Sequence, residues 1–170
     1  GGVFDAPVYM ESSEKAQFAF DTYATEDAIY VIWQESKDIL EETTSLQAMA
    51  DSLELKAAKF DATTGQMTSL GTITDNAIYE SMPQIGVADD QVYATWMENS
   101  EDDIFGQEGT NTVKKAFYNG GSWTESTLES GLGKVSSMDA GAIAGEPYVA
   151  YVQNGNGSVV NVNSGSAMAL

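Results

Sequence analysis

The densest chemistry in the sequence is a run of oxygen donors, Glu98-Asn99-Ser100-Glu101-Asp102-Asp103, with Glu108 and Asn111 a short way on. Carboxylates, amides and backbone carbonyls gathered in one connection are what a hard cation such as calcium takes, about six to eight oxygens at a time. Glu98, Glu101, Asp102 and Asp103 are therefore candidate calcium ligands, and Glu35, Asp38, Glu41 and Glu42 form a second acidic group upstream. The spacing is not that of an EF-hand, which alternates its donors and places a glycine sixth and a glutamate twelfth. The competing reading is a solvated acidic loop that aids solubility. Ile104-Phe105 interrupts the polar run. Tucked inward, the pair anchors the loop to a sheet; turned outward, it is a contact point for a partner.

Other chemistry is removed by composition. Glycosidases need two carboxylates about 5–10 Å apart, one of them kept protonated. With 26 acidic residues some pair meets that distance by chance, so none is singled out. The chain contains no histidine, cysteine or arginine. Ser-His-Asp and Cys-His catalysis, His-based zinc sites and the usual neutral-pH proton shuttle are all absent from it. No phosphate-cradling loop is present either, since the stretch Gly141 to Gly145 lacks both the spacing and a following helix. A non-enzymatic role is the expectation. Trp33, Trp96 and Trp123 have the ring faces that stack on sugars, but their strand positions favour packing between units, as do those of Tyr30, Tyr93 and Tyr148.

Seven lysines against 26 acids give a formal net charge of −19. That field repels nucleic acid and anionic membrane surfaces, whose binding is built on basic side chains. No apolar run reaches the roughly 18 residues of a membrane-spanning helix, so membrane insertion is not expected. The charge reads as solubility in a secreted or surface protein; a salt-adapted organism or a calcium-rich setting would also favour it. The Gly-Gly opening reads as a processed or recombinant start, with any export signal already gone. At 170 residues, 42% of them apolar, one ordinary domain can be filled.

The elements that must position these residues repeat. Ile29-Tyr30-Val31-Ile32-Trp33, Val92-Tyr93-Ala94-Thr95-Trp96 and Pro147-Tyr148-Val149-Ala150-Tyr151 each carry an aromatic at the second and fifth place after an acidic or glycine-bearing turn. Recurrence at a long period marks copies of one supersecondary unit. In the middle copy strands are expected over 83–88, 91–97, 112–118 and 122–130. Asp89-Asp90 and Asn119-Gly120-Gly121 supply tight turns, because these residues tolerate positive φ. The first copy has strands over 16–23, 28–34, 55–60 and 66–74, with a helical turn around Leu46 to Ala50 in its longer loop. The third has 140–144, 147–153 and 158–163, then at most a weak fourth strand. The chain thus divides into a lone strand-bearing segment 1–15 and units 16–74, 82–130 and 138–170. Val3–Met10 reads as the last strand of a preceding unit; its alternative is to complete the sheet of the third.

The segments Val92 to Asn99, Asp103-Ile104-Phe105-Gly106 and Ala116 to Trp123 resemble blades of bacterial extracellular β-propeller repeat proteins, including those akin to the sialidase-like superfamily. The resemblance covers roughly residues 16–163. Asn119-Gly120-Gly121-Ser122-Trp123 is similar to a degenerate Asp-box turn, without its Ser-x-Asp opening or its Gly-x-Thr-Trp spacing. The resemblance implies an all-β chain of consecutive four-stranded antiparallel meanders, about two and a half blade-like units forming a partial propeller. It also implies an extracellular or cell-surface bacterial setting and a glycan or protein ligand. The arginine cluster that holds a sialidase substrate cannot be built here, so the active site is not implied. The alternatives are a non-catalytic portion of a carbohydrate-active propeller enzyme, or a plain spacer. Inner strands such as Tyr148-Val149-Ala150-Tyr151-Val152 are expected to be covered on both faces. Propellers use about four to eight blades. Missing blades of a larger protein, partial blades paired between chains, or two sheets packed as a sandwich would each settle the count. An uncovered blade face is a large apolar patch, so self-association is expected.

Overall fold

Tight turns cut this chain into strands, and the connections after the fourth and eighth strands divide them into sheets. The computed structural model describes residues 13–168, so the strand expected at Val3–Met10 lies outside the described residues. The first sheet runs β1 (Gln17–Ala24), β2 (Ala28–Ser36), β3 (Leu53–Asp61) and β4 (Gln66–Thr72), with the short helix α1 (Leu46–Ala50) between β2 and β3. The second runs β5 (Ser81–Ala88), β6 (Gln91–Asn99), β7 (Asn111–Tyr118) and β8 (Trp123–Leu132). The third has β9 (Val135–Ile143), β10 (Glu146–Gln153) and β11 (Asn156–Asn161). Every strand pairs antiparallel with its sequence neighbour inside its own sheet, giving orders β1-β2-β3-β4, β5-β6-β7-β8 and β9-β10-β11. The chain is all-β, in consecutive antiparallel meanders.

Local sequence explains the corners. Asp89 and Asp90 both hold positive φ, 45° and 64°, between β5 and β6. That is the conformation a two-residue hairpin demands and a short polar side chain tolerates. Asn154 and Gly155 do the same between β10 and β11. At the β3–β4 corner the Asp61 carboxylate accepts from the amides of Thr63 and Thr64, at 2.9 and 2.8 Å, which closes the turn and holds its acid below the ordinary value. The Ser45 hydroxyl caps α1 by accepting from the Ala48 amide at 3.1 Å. After β11 the chain doubles back through a single bridge, Val160 to Ala167, in place of a full fourth strand.

Successive side chains on a strand point to opposite faces, and β6 uses both. Ala94 and Trp96 pack on the first sheet through Ile32, Leu55, Ala57 and Leu70. Tyr93 and Met97 pack on the third through Val149, Tyr151 and Val160. The recurrent aromatics follow one rule. The second-place ring (Tyr30, Tyr93) leans toward the next sheet, and the fifth-place ring (Trp96, Tyr151) toward the one before. Trp33, the fifth-place ring of the first sheet, sits on its other face with Val31, Ala58 and Met67. Polar contacts pin both joints. Trp123 Nε1 donates to the Leu70 carbonyl at 2.9 Å, and the Ile85 amide to the Asp21 carboxylate at 3.0 Å. The Tyr93 hydroxyl lies 2.6 Å from the Gly141 carbonyl and 3.0 Å from that of Tyr148.

Two expectations are corrected. The third sheet's first strand begins at Val135 rather than Ala140, and β8 runs on to Leu132. β10 is not covered on both faces: Val149 and Tyr151 are buried, Tyr148 is half-buried and Ala150 exposed. The reason is position, since the third sheet packs on the second with one face only. Gly86 lies opposite Tyr93 in the β5–β6 register, and a Cβ there would fall 2.5 Å from the Tyr93 ring. At Gly141, opposite Tyr148, a Cβ would meet nothing within 4 Å. Gly86→Ala should therefore destabilise the chain by roughly 1–3 kcal/mol, while Gly141→Ala stays within about 0.5 kcal/mol. Urea melts of the two variants check this, and equal costs would contradict it.

Candidate functional site

The acidic connection leaves β6 at Asn99 and re-enters the sheet at Asn111, and these two amides close it. Asn99 Nδ2 donates to Asn111 Oδ1 at 2.9 Å and to the Glu108 carbonyl at 2.8 Å. Asn99 Oδ1 accepts from the amides of Glu101 and Asp103. Buried Asn111 donates on to the carbonyls of Gly106 and Gly133. The loop is thus folded by its own amides.

The four candidate ligands diverge. Glu98 faces Lys114, at 3.5 Å, and accepts from Trp96 Nε1 at 3.2 Å. Glu101 is exposed at the tip of the turn. Asp103 turns inward, accepting from the amides of Glu108, Phe105 and Gln107 at 2.7–2.9 Å, which hold its carboxyl below the ordinary value. Asp102 turns the other way, across the joint between sheets. Its Oδ1 accepts from the Tyr79 amide at 3.0 Å and its Oδ2 from Gln47 Nε2 of α1 at 2.9 Å. Gln47 also reaches Asp51 at 2.7 Å, and burial together with Asp51's charge raises the Asp102 carboxyl. Among the described residues no group of three or more acidic side chains stands together as a metal would require. Glu35 of the upstream group is buried at the end of β2, where Lys56 and Gln17 outweigh the upward push of burial and keep its carboxyl low.

Ile104 and Phe105 part company in the loop. Ile104 is half-buried and Phe105 is 65% exposed. With Leu46 and Met49 of α1, Phe18 of β1 and Tyr79 of the linker they line an apolar groove of about 240 Å³, floored by Gln34. Leu46 is 55% exposed beside it. The groove joins the first sheet's helix to the second sheet's acidic loop. Sequence reasoning named Ile104 and Phe105 but missed α1 as the opposite wall, because nothing in the spacing says which two loops meet.

Beneath this joint lies a residue that no motif or spacing singled out. Glu80 is fully buried where the chain crosses from β4 to β5, and neither carboxylate oxygen has a hydrogen-bond partner. Burial pushes its carboxyl up to about 8. The Thr74 and Asn76 side chains ease it without full hydrogen bonds, and the charge of Glu98 adds to the rise. Gln34 Nε2 donates to its backbone carbonyl at 2.5 Å.

Two outcomes follow from this geometry. Calcium would have to bring divergent ligands together from their present partners, so the thermal midpoint should not change between millimolar calcium and a chelator; a rise with calcium would show the loop reorganising around the ion. For Glu80, a carboxyl raised from 4.5 to about 8 binds its proton more tightly in the folded state. Its stabilising contribution is complete below about pH 4.5 and is lost as pH rises through about 8. Glu80→Gln should melt close to the parent at pH 5 and above it at pH 9, and parallel pH profiles would refute this. No protein-family model matches the chain, and no curated protein matches it.

Proposed function

We propose that the chain is a non-enzymatic recognition module, built as consecutive blades of a partial β-propeller and carried by a secreted or cell-surface bacterial protein. Its ligand is a protein segment taken in the groove between α1 and the acidic loop. The groove carries this reading: an apolar hollow at a joint between sheets, with Phe105 and Leu46 standing exposed at its edge. Solvent-facing aromatic and aliphatic anchors around a hollow are the usual mark of a protein contact. Asp51, Glu101, Asp102 and Asp103 neighbour its lining residues in sequence on a chain of net charge −19, so the partner carries Leu- or Phe-type anchors flanked by lysine or arginine. A sugar platform is less well supported, because Trp33 and Trp96 are buried and Trp123 spends its indole N–H on Leu70. The absence of histidine, cysteine and arginine supports a role without catalysis. Among the described residues no helix is long and apolar enough to cross a membrane.

The test is a panel of labelled amphipathic peptides, each with Leu or Phe anchors and with either basic or acidic flanks, followed by fluorescence anisotropy. Basic-flanked peptides should bind, weaken as salt rises, and lose about tenfold or more in affinity to Phe105→Ser and Leu46→Ser, with melting points preserved. Binding that ignores both substitutions, or a panel with no binder, sinks the proposal.

A further inference from the structure

The two internal joints are made the same way: the face bearing the second-place aromatic of one sheet receives the opposite face of the next. In the second sheet Tyr93 lies over Gly86, with its hydroxyl on the backbone carbonyls of Gly141 and Tyr148 across the joint. The third sheet repeats the pair. Tyr148 lies opposite Gly141 in register, yet the space over Gly141 is open, and Tyr148, Ala150 and Val159, with the exposed Asp139 opposite Ala150, line a shallow hollow of about 240 Å³ beside Ile143, which is 50% exposed. This face is built to receive a sheet. The matching kind of face, the one turned away from the next sheet, is uncovered over part of the first sheet: Ile29, Phe60 and Met67 line a hollow of about 320 Å³ there, and Phe20 is 72% exposed. Tyr23 and Tyr30 are paired in the first sheet as Gly141 and Tyr148 are in the third.

We propose that a second copy of this chain docks head to tail, its first sheet seated on the open face of the third. The Tyr148 hydroxyl then takes the backbone carbonyls of the partner copy at the Tyr23–Tyr30 pair, as Tyr93 takes those of Gly141 and Tyr148 within one chain. The contact is heterologous, so each copy keeps one donor face and one receiver face. Both copies carry −19 and the receiver face includes Asp139, so apolar contact drives the association against charge, and added salt strengthens it. This proposal is independent of the groove.

Sedimentation velocity of the full 170-residue chain, from micromolar to millimolar and at low and high salt, tests it. Mass should rise with concentration and more steeply in high salt. Ala150→Glu blocks the receiver face and Ile29→Lys the donor face; both positions are exposed, and circular dichroism melts confirm that each variant is folded. Each alone should be monomeric, and an equimolar mixture should form a 1:1 dimer, because one intact donor and one intact receiver remain. Tyr148→Phe should weaken association about three- to tenfold. A parent chain that stays monomeric at millimolar concentration in high salt overturns the proposal. So does a mixture of blocked variants that stays monomeric, or association that weakens as salt rises.

Discussion

An inner strand with apolar side chains on both faces needs a sheet on each side, and β6 is where this molecule meets that demand in full. Tyr93, Ala94 and Trp96 have no exposed surface, although consecutive residues of a strand cannot share a neighbour. Burying a large side chain completely is worth about 1.5–3 kcal/mol against leaving it in water. A strand that buries both of its faces therefore ties two sheets to a third more firmly than any surface ion pair here. The polar contacts at the joints, Trp123 to Leu70 and Tyr93 to Gly141, set angle and register where apolar contact alone would slide.

Stacking in this manner fixes what happens at the sheet ends. The first and second sheets present equivalent loops side by side, so α1 and the 98–111 connection meet. Asp102 completes the joint by taking the Tyr79 amide and the Gln47 side chain from opposite directions. The crossing between sheets runs beneath, and there Glu80 is sealed in with no partner for its carboxylate. A buried acid without a counter-ion costs stability whenever it is charged. Its presence at the crossing couples the joint's stability to protonation.

Much of the fold was legible in the sequence, because turns and strands are local. Asp89-Asp90 and Asn154-Gly155 announce their hairpins by residue type, and the aromatic strands announce themselves by composition. The spacing of the aromatics held more than its recurrence suggests. Places two and five are an odd number of residues apart, so Tyr93 and Trp96 must point to opposite faces, and on β6 each of those faces meets a neighbouring sheet. The open face of β10 was not legible, since its composition matches that of β6 and only the order of sheets tells them apart. The inner bonding of the acidic loop was not legible for a related reason. Carboxylates and amides in one connection look alike whether they bind a cation or their own backbone, and only the structure shows Asn99 and Asn111, at the two loop ends, bonded to each other and Asn99 to the loop's amides.

Charge and apolar surface are kept apart along the chain, and that separation explains how strongly acidic sheets can stack at all. Asp51, Asp89, Asp90, Asp102 and Asp103 sit in turns and connections, and the interior joints are lined by aliphatic and aromatic side chains. Several acids on strand faces are matched, Glu35 by Lys56, Glu98 and Glu125 by Lys114, while Asp139 of β9 is exposed on the open face of the third sheet. Lysine is scarce, so nearly every lysine on a strand is committed to a joint or a partner; Lys115 spends its ammonium on the carbonyls of Val162 and Asn163. The repulsion therefore acts between whole copies and at the loop ends, while the dry faces experience little of it. With the groove and the open sheet faces in the roles proposed for them, this is why the same sequence can present an acidic rim to a basic partner and still carry sheet faces that want another sheet.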